Sequence, residues 1–147
     1  MGSVLPLNMD TLAALDAATS VTKGATVNGT GKDIGNDTIP QQMLIAAQFA
    51  ITNAGTTDGY DVDVTVQFSD DNTTWPDSVG SSKATTQGLS LCNMYSATAA
   101  ADLALSAIYT FVPELRYFRF VFKNNNGTDA VSVTSEVALH RQRYSER

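Results

Sequence analysis

The 147 residues include one cysteine and one histidine, which removes most metal and nucleophile chemistry at the outset. Cys92 alone excludes a disulfide within the chain. With His140 alone, it also excludes a single-chain zinc site of the Cys₄, Cys₂His₂ or His₃ kind. In Leu89-Ser90-Leu91-Cys92 the thiol reads as a small buried hydrophobe. His140, at the end of a predicted strand beside Arg141, reads as a surface strand residue. Charge is also scarce, at 16% of residues against roughly 25% in ordinary soluble domains. Helix-forming charged residues are few, with three Glu and four Lys. No apolar run approaches the roughly 18 residues of a membrane span. The segment Met1 to Pro6 carries no basic residue, and Leu12 to Ala18 is interrupted by Asp16, so no export signal is read. The expectation is a soluble protein made in a cytoplasm, without membrane contact.

Uncharged polarity fills the gap, with 18 Thr and 12 Ser. Threonine sits well on a pleated surface, while the Asn and Gly between the apolar runs tolerate the positive φ of tight turns. Tyr60-Asp61-Val62-Asp63-Val64-Thr65-Val66-Gln67-Phe68 alternates without a slip. It predicts a strand with Tyr60, Val62, Val64, Val66 and Phe68 in a core. Val131 to Leu139 alternates with Val131, Val133, Val137 and Leu139 inward, and Met43 to Ile51 follows the same rule. Arg116 to Phe122 directs Phe118, Phe120 and Phe122 into the core. Shorter strands are expected around Thr19 to Asn28, Leu89 to Cys92 and Ser106 to Val112. Thr11 to Ala18, behind Asp10 as N-cap, and the Ala-rich Tyr95 to Leu105 read as short helices. Turn chemistry separates the strands at Asn28-Gly29-Thr30-Gly31, Asn53-Ala54-Gly55, Asp70-Asp71-Asn72 and Asn124-Asn125-Asn126-Gly127. The fold class is therefore all-β: an antiparallel β-sandwich, jelly-roll-like or Ig-like, of about 6–8 strands with one or two short helices. An irregular N-terminal arm (1–16) precedes the sandwich (17–140), and a basic tail (141–147) follows it.

Charge is distributed unevenly. Residues 1–115 hold 12 acids and 3 bases, whereas residues 116–147 hold 3 acids and 6 bases, all five Arg among them. An acidic body disfavours nucleic acid, whose phosphates need a basic face. The tail, with Arg141, Arg143 and Arg147, suits an acidic patch on a partner or on the next copy of the chain. Val4, Leu5, Leu7 and Met9, together with Pro6, have no evident place in a strand. They are the apolar candidates for partner contact.

Catalytic constellations lack their parts. A Ser-His-Asp triad would have to use His140, with no Gly-x-Ser-x-Gly elbow to join it. Gly29-Thr30-Gly31-Lys32 is not a phosphate loop, and no Asp pair stands out for glycoside hydrolysis. No enzyme activity and no cofactor are expected. Asp58, Asp61 and Asp63 are the candidates for a Ca²⁺ site, set against their reading as an ordinary solvated strand face. Trp75 is the candidate for stacking on a glycan, together with Tyr60 or Tyr95, set against a Trp that closes a hairpin onto the core.

Three segments carry a family likeness. Strand Tyr60–Phe68 runs into Ser69-Asp70-Asp71-Asn72-Thr73-Thr74-Trp75, and Arg116-Tyr117-Phe118-Arg119-Phe120 follows some forty residues later. Upstream, Gly24 to Gly35 ends in the aspartate-apolar-glycine step Asp33-Ile34-Gly35. Over residues 17–140 this pattern resembles small β-sandwich structural proteins of tailed bacteriophages and prophages. Asn72 stands where glycine is frequent, and asparagine also tolerates the left-handed conformation. The resemblance implies a capsid decoration (cement) protein on the virion surface, synthesised in the host cytoplasm, with the major capsid protein as partner and a homotrimer as the assembly. A tail or head-fibre component is a variant of the same reading. The D-D-x-T-T-W turn with R-Y-x-R also resembles carbohydrate-binding sandwiches, which keeps a glycan-binding module as the alternative.

Overall fold

The computed structural model describes residues 3–4, 11–36, 39–52, 59–75, 88–98, 103–104, 107–126, 128–141 and 144–145. Among them are twelve strands and a single 3₁₀ turn at Pro40–Gln42. In chain order the strands are β1 (Ser3–Val4), β2 (Ala13–Val21), β3 (Thr26–Asn28), β4 (Lys32–Asp33), β5 (Met43–Thr52) and β6 (Tyr60–Ser69). They continue with β7 (Leu89–Ser96), β8 (Leu103–Ala104), β9 (Tyr109–Phe111), β10 (Tyr117–Asn124), β11 (Val131–Arg141) and β12 (Tyr144–Ser145).

Two five-stranded antiparallel sheets form the body. One runs β3-β10-β6-β7, with β4 also on β10, and the other runs β2-β11-β5-β8, with β9 also on β5. β3 and β4 lie along the same edge of β10, as β8 and β9 lie along the same edge of β5, so each pair is one interrupted strand. Counted that way the body has eight strands. Every connection crosses between the sheets except the one from β6 to β7, which are hydrogen-bonded neighbours. This is jelly-roll order, and it decides between the two sandwich topologies the sequence permits.

The alternating patterns set the core. Tyr60, Val62, Val64, Val66 and Phe68 from β6, with Phe118, Phe120 and Phe122 from β10, are buried against Ile45, Phe49, Ile51, Val133 and Val137 of the opposite sheet. Phe49 meets Phe120 edge-on at 4.9 Å between ring centroids. Phe111 closes the layer against Phe118 at 5.3 Å.

Several expectations are corrected. Thr11–Ala18 is not a helix, because β2 occupies Ala13–Val21 and pairs with β11. The pairing is irregular: its register shifts on either side of Ser135, and Ala18 takes φ 31°. This bulged edge erases the period-2 signal and leaves an alanine-rich stretch that looks helical. The described residues of Tyr95–Leu105 are not helical either, since β7 continues to Ser96 and Leu103–Ala104 pairs with β5. The sheets claim more chain than 17–140, starting at Ala13 and including Arg141. The ends of the chain are not simply an irregular arm and a tail, because Ser3–Val4 pairs antiparallel with Tyr144–Ser145 in a separate two-stranded ribbon. His140 is buried, at 2% exposure, rather than on the surface.

Candidate functional site

The segments singled out in the sequence meet on the outer face of the β10–β6 sheet. β6 ends in Ser69, whose single hydroxyl proton has two acceptors in reach, the Thr74 carbonyl at 2.6 Å and Asp71 Oδ1 at 2.9 Å. Asp71 Oδ1 accepts the backbone N–H groups of Thr73 and Thr74 at 2.8 and 2.7 Å, and Oδ2 accepts the Thr74 hydroxyl at 2.9 Å. These bonds, led by the two backbone N–H groups, hold the Asp71 carboxyl far below the usual carboxylate range. Asn72 takes φ 61°, the left-handed conformation that asparagine tolerates. The turn thus satisfies itself locally, and what it delivers is Trp75.

Trp75 is only 7% exposed. The Arg119 guanidinium lies over its ring at 4.5 Å and donates through Nε to Gln67 Oε1 at 2.9 Å. Gly31 lies against Asn72 and Trp75, and a Cβ there would collide with the Asn72 side chain. At the start of β10, Arg116 donates through Nε and Nη2 to the two carboxylate oxygens of Asp33 at 2.9 and 2.8 Å. Asp33 also accepts the Gly35 N–H at 2.8 Å. The guanidinium contact first, and the Gly35 N–H second, lower the Asp33 carboxyl from 3.8 to about 2. The aspartate-apolar-glycine step, the D-D-x-T-T-W turn and the R-Y-x-R strand are therefore one interlocked cluster. With its indole buried under Arg119, Trp75 is no sugar-stacking platform here. Its place is a packed lid on the outer sheet face.

The opposite end of the sandwich is built by Asn124, Asn125 and Asn126. Buried Asn124 donates its amide to the carbonyls of Val21 at 3.1 Å and Asp129 at 2.9 Å, joining the ends of β2 and β10. Asn125 donates its backbone N–H to the Asp61 carbonyl at 2.8 Å and its amide to Asp63 Oδ2 at 2.7 Å. Asn126 donates to the Gly59 carbonyl at 2.6 Å, and its own carbonyl accepts the Gly24 N–H at 3.1 Å. Gly59 has φ +82° and lies against the Ser96 carbonyl so closely that a Cβ would clash with it. The result is a pocket of about 190 Å³ lined by Tyr60, Asp61, Tyr95, Ser96, Ala97 and Asn126. Tyr95 stands 62% exposed beside it, while Tyr60 points inward and is buried.

Of the Ca²⁺ candidates, Asp61 and Asp63 share the outer face of β6, bridged by the Asn93 amide at 2.7 Å to each. Asp58 lies outside the described residues. Among the described residues no three acidic, His or Cys side chains gather as a metal would require. Cys92 is half-buried against the core, and burial, aided by the Asp63 charge, pushes its thiol up to about 12, so it stays protonated. Of the partner candidates, Leu5, Leu7, Met9, Arg143 and Arg147 lie outside the described residues. Val4 lies in β1 and Arg141 in β11. No helix among the described residues is long and apolar enough to cross a membrane.

One site residue escaped the sequence reading. Asp16 is 3% exposed and links the sheets: Oδ1 accepts the Thr30 N–H at 2.7 Å and Oδ2 the Ser135 hydroxyl at 2.8 Å. A single aspartate between leucine and alanine carries no local sign of such a role. No protein-family model matches the chain, and no curated protein matches it in sequence.

Proposed function

We propose that this chain is a structural protein of a tailed-phage virion: a capsid decoration (cement) protein, homotrimeric, seated on the major capsid protein where capsomers meet. The observation that carries the reading is the convergence of the three family-like segments in one cluster, with Asp33 on Arg116 and Trp75 under Arg119. A likeness made of scattered short motifs gains weight when those motifs hold each other in place. Jelly-roll order is in keeping with the reading, since capsid proteins are among its users; lectins use it too, so fold alone does not decide. No catalysis and no cofactor enter the proposal. Exposed Ile108, Val112 and Leu115 around β9, at 50, 49 and 41% exposure, offer apolar area for subunit contact. Ser3–Val4 and Tyr144–Ser145 pair in a ribbon of their own, outside the hydrogen bonding of both sheets, which leaves it available for contact with a neighbour. Cementing by many weak copies asks for this kind of body.

The test is mass spectrometry of virions purified from a host that carries the gene, with copy number measured against the major capsid protein. A fixed stoichiometric ratio is expected. Absence from the particle, or presence at a few copies only, overturns the decoration role. Deleting residues 1–9 tests the attachment: the truncated chain should keep its circular dichroism spectrum but decorate stripped capsids less fully than the intact one.

A further inference from the structure

The virion reading makes no use of the pocket at the asparagine-built end of the sandwich. We propose that this pocket is a subsite for one neutral, hydroxyl-rich sugar ring of a glycan, with Tyr95 as stacking platform and Asp61 as hydroxyl acceptor. The proposal does not depend on the virion reading, and it moves glycan contact away from Trp75.

Five observations carry it. The volume of about 190 Å³ lies below the roughly 300 Å³ at which sites for drug-sized ligands begin, and it suits a single ring of a longer chain. Tyr95 is the most exposed of the large apolar side chains among the described residues, at 62%. An aromatic ring left in water beside a pocket offers an apolar face to the C–H side of a pyranose and a hydroxyl at its rim. Asp61 is the direct cross-strand partner of Tyr95, so carboxylate and ring stand side by side on the same sheet face. The carboxylate is already oriented: Oδ1 accepts the Asn93 amide at 2.7 Å and the Asn125 amide at 3.4 Å. Oδ2 takes no hydrogen bond from the described residues, and it is the atom assigned to a sugar hydroxyl. Behind the pocket Asn126 is held by its bonds to Gly59, Thr128 and Asp129, which set the position of that wall.

Charge selects the sugar class. Asp61 and Asp63 lie two residues apart on one face, and the body around them is acidic. Uronates and sialic acids bring a like charge to that face and are disfavoured. Neutral hexoses and N-acetylhexosamines are not.

Saturation-transfer NMR on the full-length chain tests this, with cellotriose, maltotriose and triacetylchitotriose as neutral probes and sialyllactose and trigalacturonate as anionic ones. At least one neutral trisaccharide should receive saturation, and the anionic probes should not. Tyr95→Ala, an exposed position whose variant should keep the parent circular dichroism spectrum, should weaken that binding at least ten-fold. Asp61→Asn should weaken it several-fold. Trp75→Phe should leave it unchanged, which separates this pocket from the buried indole. Failure of all three neutral probes, preference for an anionic one, or full binding by Tyr95→Ala overturns the proposal.

Discussion

Phe120 is fully buried and touches rings on both sides, with Phe49 opposite and Phe118 and Phe122 along its own strand. Phe120→Ala should cost about 3–5 kcal/mol in urea melts, because burial is lost and a cavity is left between two rigid sheets. A loss below about 1 kcal/mol would contradict this packing. Asp33 behaves differently, because its partner Arg116 is itself 37% exposed. With the folded carboxyl lowered from 3.8 to about 2, the pair stabilises the fold above the ordinary carboxylate range. That contribution fades as pH falls through the window between those two values and is gone below it. Solvent screening limits its size to about 1 kcal/mol or less. Urea melts of Asp33→Asn beside the parent should show the variant weaker near neutral pH and the two converging near pH 2; a constant gap would assign the difference to something other than the ion pair. At this scale the sequence was legible where burial follows strand parity, as in Phe118, Phe120 and Phe122. His140 was not legible, since it is buried on the face that parity assigns to the outside.

At the scale of elements, the Ser69–Trp75 turn and β10 should act as one unit. A double-mutant cycle with Trp75→Leu and Arg119→Met should return a coupling of about 0.5–2 kcal/mol, the range for a cation over an indole shielded from water. Zero coupling would mean the two side chains are merely adjacent. The turn itself was readable, since Asp71, Asn72 and Thr73 are turn residues wherever they occur. Its purpose was not, because Arg119 lies 44 positions further along the chain. The same limit hid β2. Its strand character comes from β11, more than a hundred residues away, and the bulge at Ser135 with Ala18 at φ 31° removes the alternation that would announce it. Asp16 belongs to that bulge. Asp16→Ala leaves the Thr30 N–H and the Ser135 hydroxyl without their acceptor and should cost about 1–3 kcal/mol, measured as a shift in the urea midpoint at unchanged slope.

For the molecule as a whole, jelly-roll order means that first and last strands of the body are neighbours. β2 pairs with β11 and β3 with β10, so nearly all sheet contacts join distant parts of the chain. Among the described residues, only the β6–β7 pair is close in sequence. Loop closure must precede most of the stabilising contacts, and refolding by stopped-flow fluorescence should fall in the milliseconds-to-seconds range of β-sandwiches. Microsecond folding would be incompatible with this topology. The two-sheet architecture was legible from period and turn spacing alone. The choice between sandwich topologies was not, because parity says which face a strand buries and nothing about its neighbours.

The ribbon of Ser3–Val4 on Tyr144–Ser145 also has a mechanical meaning. Tension applied between Ser3 and Ser145 acts across the ribbon, opening its few backbone bonds in turn rather than sliding them past one another. Beyond it the load reaches Ala13, whose pairing with Val137 opens β2 from β11 in the same peeling direction, and Arg141, which is held by Met43 of β5. Loaded at Ser3 and Ser145, the ribbon opens as a zipper. Pressed or stretched across its sheet faces, it resists through the aromatic layer between them.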